Sequence, residues 1–268
     1  MSIAAVADKT VAIFRRDLLS VLRYRWAFMF TVAGALCELA AFYYLSRAIG
    51  PGFRPEGLDY FSFLVVGTGF YTFLIMGVHS LVQSVQEAQQ TGTFEVLMTT
   101  STQPSVLVLL SAISALSRDA MQLVLYLEIG LVIFGKTLPR PGIGCALVFF
   151  LSLAIAIAMG LMVAALQVAI QKGSVVLWAL GSGTWLLTGT LFPVTSLPAP
   201  LRYTAELIPI TYSLDAMRKA LLQGATLSVL SHEIGILAMF ALVLLPLGLA
   251  MFSFSLRRAR QEGTLSAY

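Results

Sequence analysis

Residues 143–170 read IGCALVFFLSLAIAIAMGLMVAALQVAI, 28 positions without a charged side chain. A helix rises about 1.5 Å per residue, so such a run reaches about 42 Å, more than the roughly 30 Å hydrocarbon core of a bilayer. Residues 61–86 repeat the signature over 26 positions and residues 234–256 over 23. The whole chain of 268 residues is 58% hydrophobic and 11% charged, where a soluble domain carries about 25% charged residues. It reads as an all-α membrane protein.

Working outward, residues 175–192 are just long enough for another span, and residues 26–46 form one more, interrupted by Glu38. Between Ser105 and Phe134 lie some 30 helix-compatible residues broken by Arg118, Asp119 and Glu128. We read them as one long helix that starts in the cytoplasm and enters the bilayer near Arg118; two stacked half-helices are the alternative. Six spans result, at about 26–49, 60–82, 112–134, 143–167, 175–192 and 234–256, within a single transmembrane domain covering 1–268. Ahead of them, residues 8–25 place Val11, Phe14, Leu18 and Leu22 at helical spacing with Arg15, Arg16 and Arg23 elsewhere. That pattern predicts an amphipathic helix lying in the headgroup plane.

Six spans put both termini on one side. Nine basic residues lie with the termini and seven opposite. The clusters that abut spans, Arg15–Arg25 and Arg257–Arg260, weigh most in setting orientation. Both termini are therefore expected in the cytoplasm and the chain in the cell's inner (plasma) membrane. Cys37 and Cys145 fall inside apolar segments and read as small buried hydrophobes, with no disulfide framework or metal site implied. The N-terminus does not have the pattern of a cleaved signal peptide.

Residues 130–137, GLVIFGKT, satisfy the G-x-x-x-x-G-K-[ST] pattern of a phosphate-binding loop. That loop needs a preceding strand, a following helix and free backbone N–H groups. Here the string closes an apolar span at the outer face, and Pro139 and Pro141 follow. A membrane helix has already used its N–H groups internally, so no nucleotide site is expected on this chain.

Two polar stretches carry a signal. Residues 86–104, QEAQQTGTFEVLMTTSTQP, follow span two on the cytoplasmic side. They contain Glu87, then Gly92-Thr93-Phe94-Glu95-Val96-Leu97, then Pro104. Residues 192–224 lie between spans five and six on the outer side. They contain Phe192-Pro193, Leu197-Pro198, Ile208-Pro209, Leu214-Asp215, Arg218 and Gly224. In order and spacing these resemble the membrane subunits of type-2 ABC exporters, the class that moves drugs, polysaccharides and lipids, and the likeness covers essentially the whole chain. One departure stands out: that class usually has an arginine beside the acidic residue of the first loop, whereas residues 83–104 contain no Lys or Arg.

The resemblance implies a permease subunit that pairs with a second copy, as a homodimer, and with a separate ABC ATPase subunit, which would bind ATP and Mg. No cofactor is expected on this chain, and no nucleic-acid partner; membrane lipid is its surroundings. Residues 86–100 would be the coupling helix, with Glu87, Gly92, Thr93, Phe94, Glu95 and Leu97 facing the ATPase. Residues 193–224 would be an external re-entrant gate, with Phe192, Pro193, Pro198, Leu201, Pro209, Asp215 and Arg218 as its key positions. The cargo implied is an amphipathic drug, lipid or lipid-linked glycan.

The residues also speak for themselves here. A cytoplasmic loop without basic residues runs against the positive-inside tendency, and apolar Phe94, Leu97 and Met98 beside two glutamates suit a groove on a partner protein. An outer loop near 40 residues is long for a segment without a function. Glu38 lies about 18 Å into span one and Glu128 about 9 Å from the outer end of span three. Acids at that depth should face a bundle interior or a wet cavity, so Glu38, Arg118 and Glu128 are candidates for lining the pathway, equally for helix packing, with Arg218 as a possible counter-charge. Tyr43, Tyr44, Tyr60, Phe61, Phe63, Phe70, Tyr71 and Phe73 crowd the outer half of spans one and two as an interfacial belt. A secondary carrier would show internal repeats, and none joins 26–134 to 143–256. A membrane-embedded enzyme would need a constellation that His79 and His232, on opposite sides, do not supply.

Overall fold

The computed structural model describes residues 25–90, 104–133, 142–170 and 173–262. Its elements in order are α1 (Arg25–Ile49), α2 (Tyr60–Gln90), α3 (Pro104–Ile133), α4 (Ile143–Ile170), α5 (Gly173–Leu187), α6 (Ala199–Glu206), α7 (Pro209–Leu222) and α8 (Ser231–Glu262), and no strand occurs among the described residues. Among the described residues, four helices carry a stretch long and apolar enough to cross a membrane: Met29–Ile49, Tyr60–Glu87, Ile143–Ala169 and Ser231–Ala259.

The predicted third and fifth spans are the two that fall short of that measure. α3 is one continuous helix of 30 residues rather than two stacked halves, but Arg118, Asp119 and Glu128 break its apolar surface. α5 has 15 residues, about 22 Å of helix. It stops at Leu187, not at the expected 192, because Gly189 takes φ +78°, a left-handed turn that glycine adopts without a Cβ penalty. α2 runs past its predicted end at 82, so residues 86–90 of the expected coupling helix are its last turns. The amphipathic stretch 8–24 and residues 91–103 lie outside the described residues.

Local signals fix the helix ends. Gly50, at φ +92°, closes α1 before Pro51, the usual glycine-then-proline exit. Asp59 starts α2: its carboxylate accepts from the Ser62 N–H at 3.3 Å and the Ser62 hydroxyl at 3.2 Å, satisfying a donor that the first turn leaves free.

α2 is the central helix. Its Phe63, Leu64, Val65, Phe70, Leu74, Val78 and Leu81 are buried, and it packs on α3, α4 and α7. α4 and α8 lie along each other through small residues and a polar tie. A Cβ on Gly248 would come within 2.7 Å of the Ala158 carbonyl, and the Ser255 hydroxyl donates to the Ala165 carbonyl at 2.7 Å. In lipid, where apolar surface supplies little drive for association, close backbone approach and interhelical hydrogen bonds hold helices together. Gly130 belongs to the same scheme. The first glycine of GLVIFGKT sits inside α3, where a Cβ would meet Leu39 at 2.8 Å and Val65 at 3.0 Å. A helix precedes the string, and its glycine serves packing; residues 134–137 lie outside the described residues.

Candidate functional site

The segment after α5 is built around proline. Pro193 is extended at φ −62°, ψ 142°, a short 3-10 turn covers Val194–Ser196, and Pro198 leads into α6. Ile208 is again extended before Pro209 opens α7. Proline fixes φ and cannot continue a helix behind it, so 193–222 breaks into two short helices. α7 closes at Gly224, φ +61°, where the Ala225 N–H reaches back to the Lys219 carbonyl at 3.1 Å, a Schellman-type exit.

α7 turns Ile210, Leu214 and Met217 into the core. It also carries Arg218, 2% exposed. Arg218 Nε donates to the Phe63 carbonyl at 3.2 Å and Nη2 to the Thr190 carbonyl at 3.0 Å. The guanidinium carbon lies 3.5 Å from the centroid of the Phe63 ring, a cation–π contact strengthened by desolvation. The Thr190 carbonyl lies in the turn after α5, so no helical N–H claims it. The niche exists because α2 offers Gly67 there: a Cβ would collide with Nη2 and lie 2.9 Å from both the guanidinium carbon and the Thr190 oxygen.

Three hydroxyls tie together α2, α5 and the turn that follows α5. Tyr60 donates to the Leu191 carbonyl at 3.1 Å, Tyr71 meets the Thr184 hydroxyl at 2.8 Å, and Thr188 donates to the Thr184 carbonyl at 2.8 Å.

Charges surround the niche. Burial pulls the Arg218 pKa down to about 10, with Glu56 and Asp215 pulling it back up, so the guanidinium stays charged near neutrality. Glu56 sits in the α1–α2 loop at φ 55°, a left-handed conformation that costs a non-glycine residue roughly 1–2 kcal/mol and that brings its carboxyl onto Asp215. Desolvation, then the Asp215 carboxylate, raise the Glu56 pKa against the opposing pull of Arg218 and Lys219. Lys219 Nζ pairs with Asp215 at 2.9 Å and with Glu233 on α8 at 2.7 Å. Burial alone would lower the Lys219 pKa, and these two partners raise it above its usual range.

The sequence expectations distribute as follows. Pro193 and Pro209 are buried, Phe192 is half-buried, and Pro198 and Leu201 are exposed. Arg218 does not counter Glu38 or Glu128, and Asp215 pairs with Lys219 rather than with Arg218. Backbone carbonyls hold the arginine, because two carbonyls and a ring satisfy its fork without moving a second charge into the core. Ile210, next to the gate position Pro209, is 2% exposed and packs inward. Glu38 lines a cavity between α1, α2 and α3, whereas Glu128 is exposed on another face of α3. Arg118 is half-exposed, with Asp119 at 3.8 Å. Glu87 is exposed near the end of α2 and accepts from Gln83 at 3.2 Å; Gly92, Thr93, Phe94, Glu95 and Leu97 lie outside the described residues. Gly67, Thr190 and Glu56 were not singled out from sequence, and Phe63 was read only as part of an interfacial belt. The one available signal was G-T-G at 67–69 inside an apolar run, since a glycine within a helix needs a close-packing reason.

A family model described as ABC-2 type transporter matches residues 8–222, more than half of the chain. No curated protein matches the sequence.

Proposed function

The chain belongs to the ABC-2 type transporter family and is a multi-pass membrane permease, and from that footing we propose that it is the transmembrane subunit of an ATP-driven exporter of amphipathic molecules. The observation that carries the reading is the extent of the family match, which includes both the 86–104 stretch and the outer segment through Leu222. In this reading six segments cross an inner (plasma) membrane with both termini in the cytoplasm, α3 and α5 among them. A second copy and two ATPase subunits complete the assembly. ATP and Mg bind on the ATPases, whose closure pushes on residues 86–100 and tilts the bundle.

Residues 193–224 act as the outer gate. α6 and the residue that caps it support this with exposed apolar side chains, Leu201, Tyr203 and Leu207. α7 anchors the same segment to α2 through Arg218, so gate and bundle are expected to move together. Phe94 and Glu95 are the expected contacts with the ATPase.

The test is co-purification with the ABC ATPase followed by measurement of ATP hydrolysis. Phe94→Ala or Glu95→Ala should lower recovery of the complex or its hydrolysis rate while the permease still inserts. If both variants recover the ATPase and hydrolyse ATP at the normal rate, residues 86–100 are not the coupling element.

A further inference from the structure

α1, α2 and α3 enclose a cavity of about 280 Å³ that the Arg218 niche does not reach. It opens to the protomer surface, since its α1 lining residues Phe30, Gly34 and Glu38 are exposed. Two carboxylates face it, Glu38 and Asp119, with the Phe73 ring also in its wall. Arg118 lies 3.8 Å from Asp119; among the described residues no lysine or arginine pairs with Glu38.

Two hydroxyls in the same wall have no partner, Thr68 Oγ1 and Tyr126 Oη. Thr68 is 5% exposed. A helical Ser or Thr that is cut off from water ordinarily donates to the carbonyl four residues back. Ser84 on α2 and Thr184 on α5 do so here, whereas Ser152 on α4 has no such partner. Thr68 has none either. Gly69, one residue on, lets the Tyr126 ring lie against α2, where a Cβ would meet it at 2.8 Å. Buried polar groups are almost always satisfied, so two unsatisfied hydroxyls beside a carboxylate describe a site awaiting donors.

We propose that this cavity binds the primary ammonium head of a cationic amphiphile. Glu38 supplies the counter-charge, Thr68 and Tyr126 accept N–H bonds, and the Phe30 and Phe73 rings flank the cation, whose negative-faced quadrupoles favour it. Neutral or anionic heads leave the carboxylate without a partner. The volume, near the lower end of the range for small-ligand pockets, takes a head and its first methylenes, with the tail left outside. This rests on the exporter reading and deepens it by naming the substrate class.

The experiment uses the full chain in lipid nanodiscs without any ATPase, and tritiated dodecylammonium at neutral pH, with dodecanol and dodecyl sulfate as competitors. Saturable binding is expected, displaced by neither competitor. Glu38→Gln should weaken it by about tenfold or more, the scale of a lost charge-assisted contact. Gly34→Leu should abolish it by filling the cavity, because a Cβ at Gly34 meets nothing within 4 Å and strains nothing. Both sites are exposed, and equal thermal unfolding of the variants controls for folding. Equal binding by wild type and Glu38→Gln overturns the proposal, as does uptake no greater than that of empty nanodiscs, or displacement by dodecanol. Because ATP plays no part, loss of binding leaves the exporter reading standing, whereas binding without ATP-driven movement in the complete assembly removes that reading and keeps the site.

Discussion

Arg218 on α7 and Glu38 on α1 are charges set in apolar helices, and their surroundings differ in every respect. Arg218 is 2% exposed, donates to two backbone carbonyls and stacks on a ring. Glu38 is exposed at the mouth of a cavity in whose wall two hydroxyls, those of Thr68 and Tyr126, have no hydrogen-bond partner. The same contrast holds for the helices that bear on them: 83% of the apolar window of α2 is buried, against 6% for α1. A charge held by main-chain carbonyls and a ring inside one protomer fixes geometry. A charge left open is available to something that arrives.

The largest effect should come from breaking the arginine's niche. Gly67→Val places methyl groups where the guanidinium lies and forces a buried charge from its partners, a loss of about 3–5 kcal/mol. Thermal unfolding in detergent should drop accordingly, and a near-wild-type melting point would mean that Arg218 does not seat α7. Arg218→Lys is the milder version. It keeps the charge but replaces a planar fork with a point donor that cannot serve both Phe63 and Thr190, so about 1–3 kcal/mol should be lost. Cysteine labelling of α7 from outside should become faster in the same variant. If labelling is unchanged, the ring contact alone holds the helix. Glu38→Gln is the opposite pole: unfolding should shift by no more than about 0.5 kcal/mol, as for an exposed substitution without a partner. A large destabilisation there would make Glu38 a packing residue like Arg218 and erase the contrast.

Much of the architecture was legible in advance because it follows from local rules. The charge-free run 143–170 is α4 from end to end, and Pro193, Pro198 and Pro209 stand at the breaks between helices, where proline cannot continue one. α3 was legible as one long helix in spite of its charges. What failed to show was set by tertiary approach. Span five was drawn to 192 because Thr188–Phe192 is apolar enough, and only the left-handed Gly189 ends it. Arg218 was read as a possible counter-charge for the intramembrane acids; its actual partners are main-chain carbonyls, which no side-chain pattern records. Gly67 and Gly69 stand two residues apart in one helix, and the first admits Arg218 while the second admits Tyr126. Sequence shows two glycines. Which helix each one receives is decided by packing across the chain.

The claim that joins these regions is that residues 193–224, seated on α2 by Arg218, move as a gate whenever the ATPases turn over. Leu201 on α6 is 44% exposed and belongs to the surface expected to meet the second copy. The most direct measurement is ATP hydrolysis by the complete complex carrying Leu201→Cys, before and after oxidation and again after reduction. The account expects the two copies to cross-link at rest, hydrolysis to fall once they are joined, and reductant to restore it. A fully cross-linked complex that hydrolyses ATP at the unlinked rate would contradict it, and would make the outer segment a fixed cap.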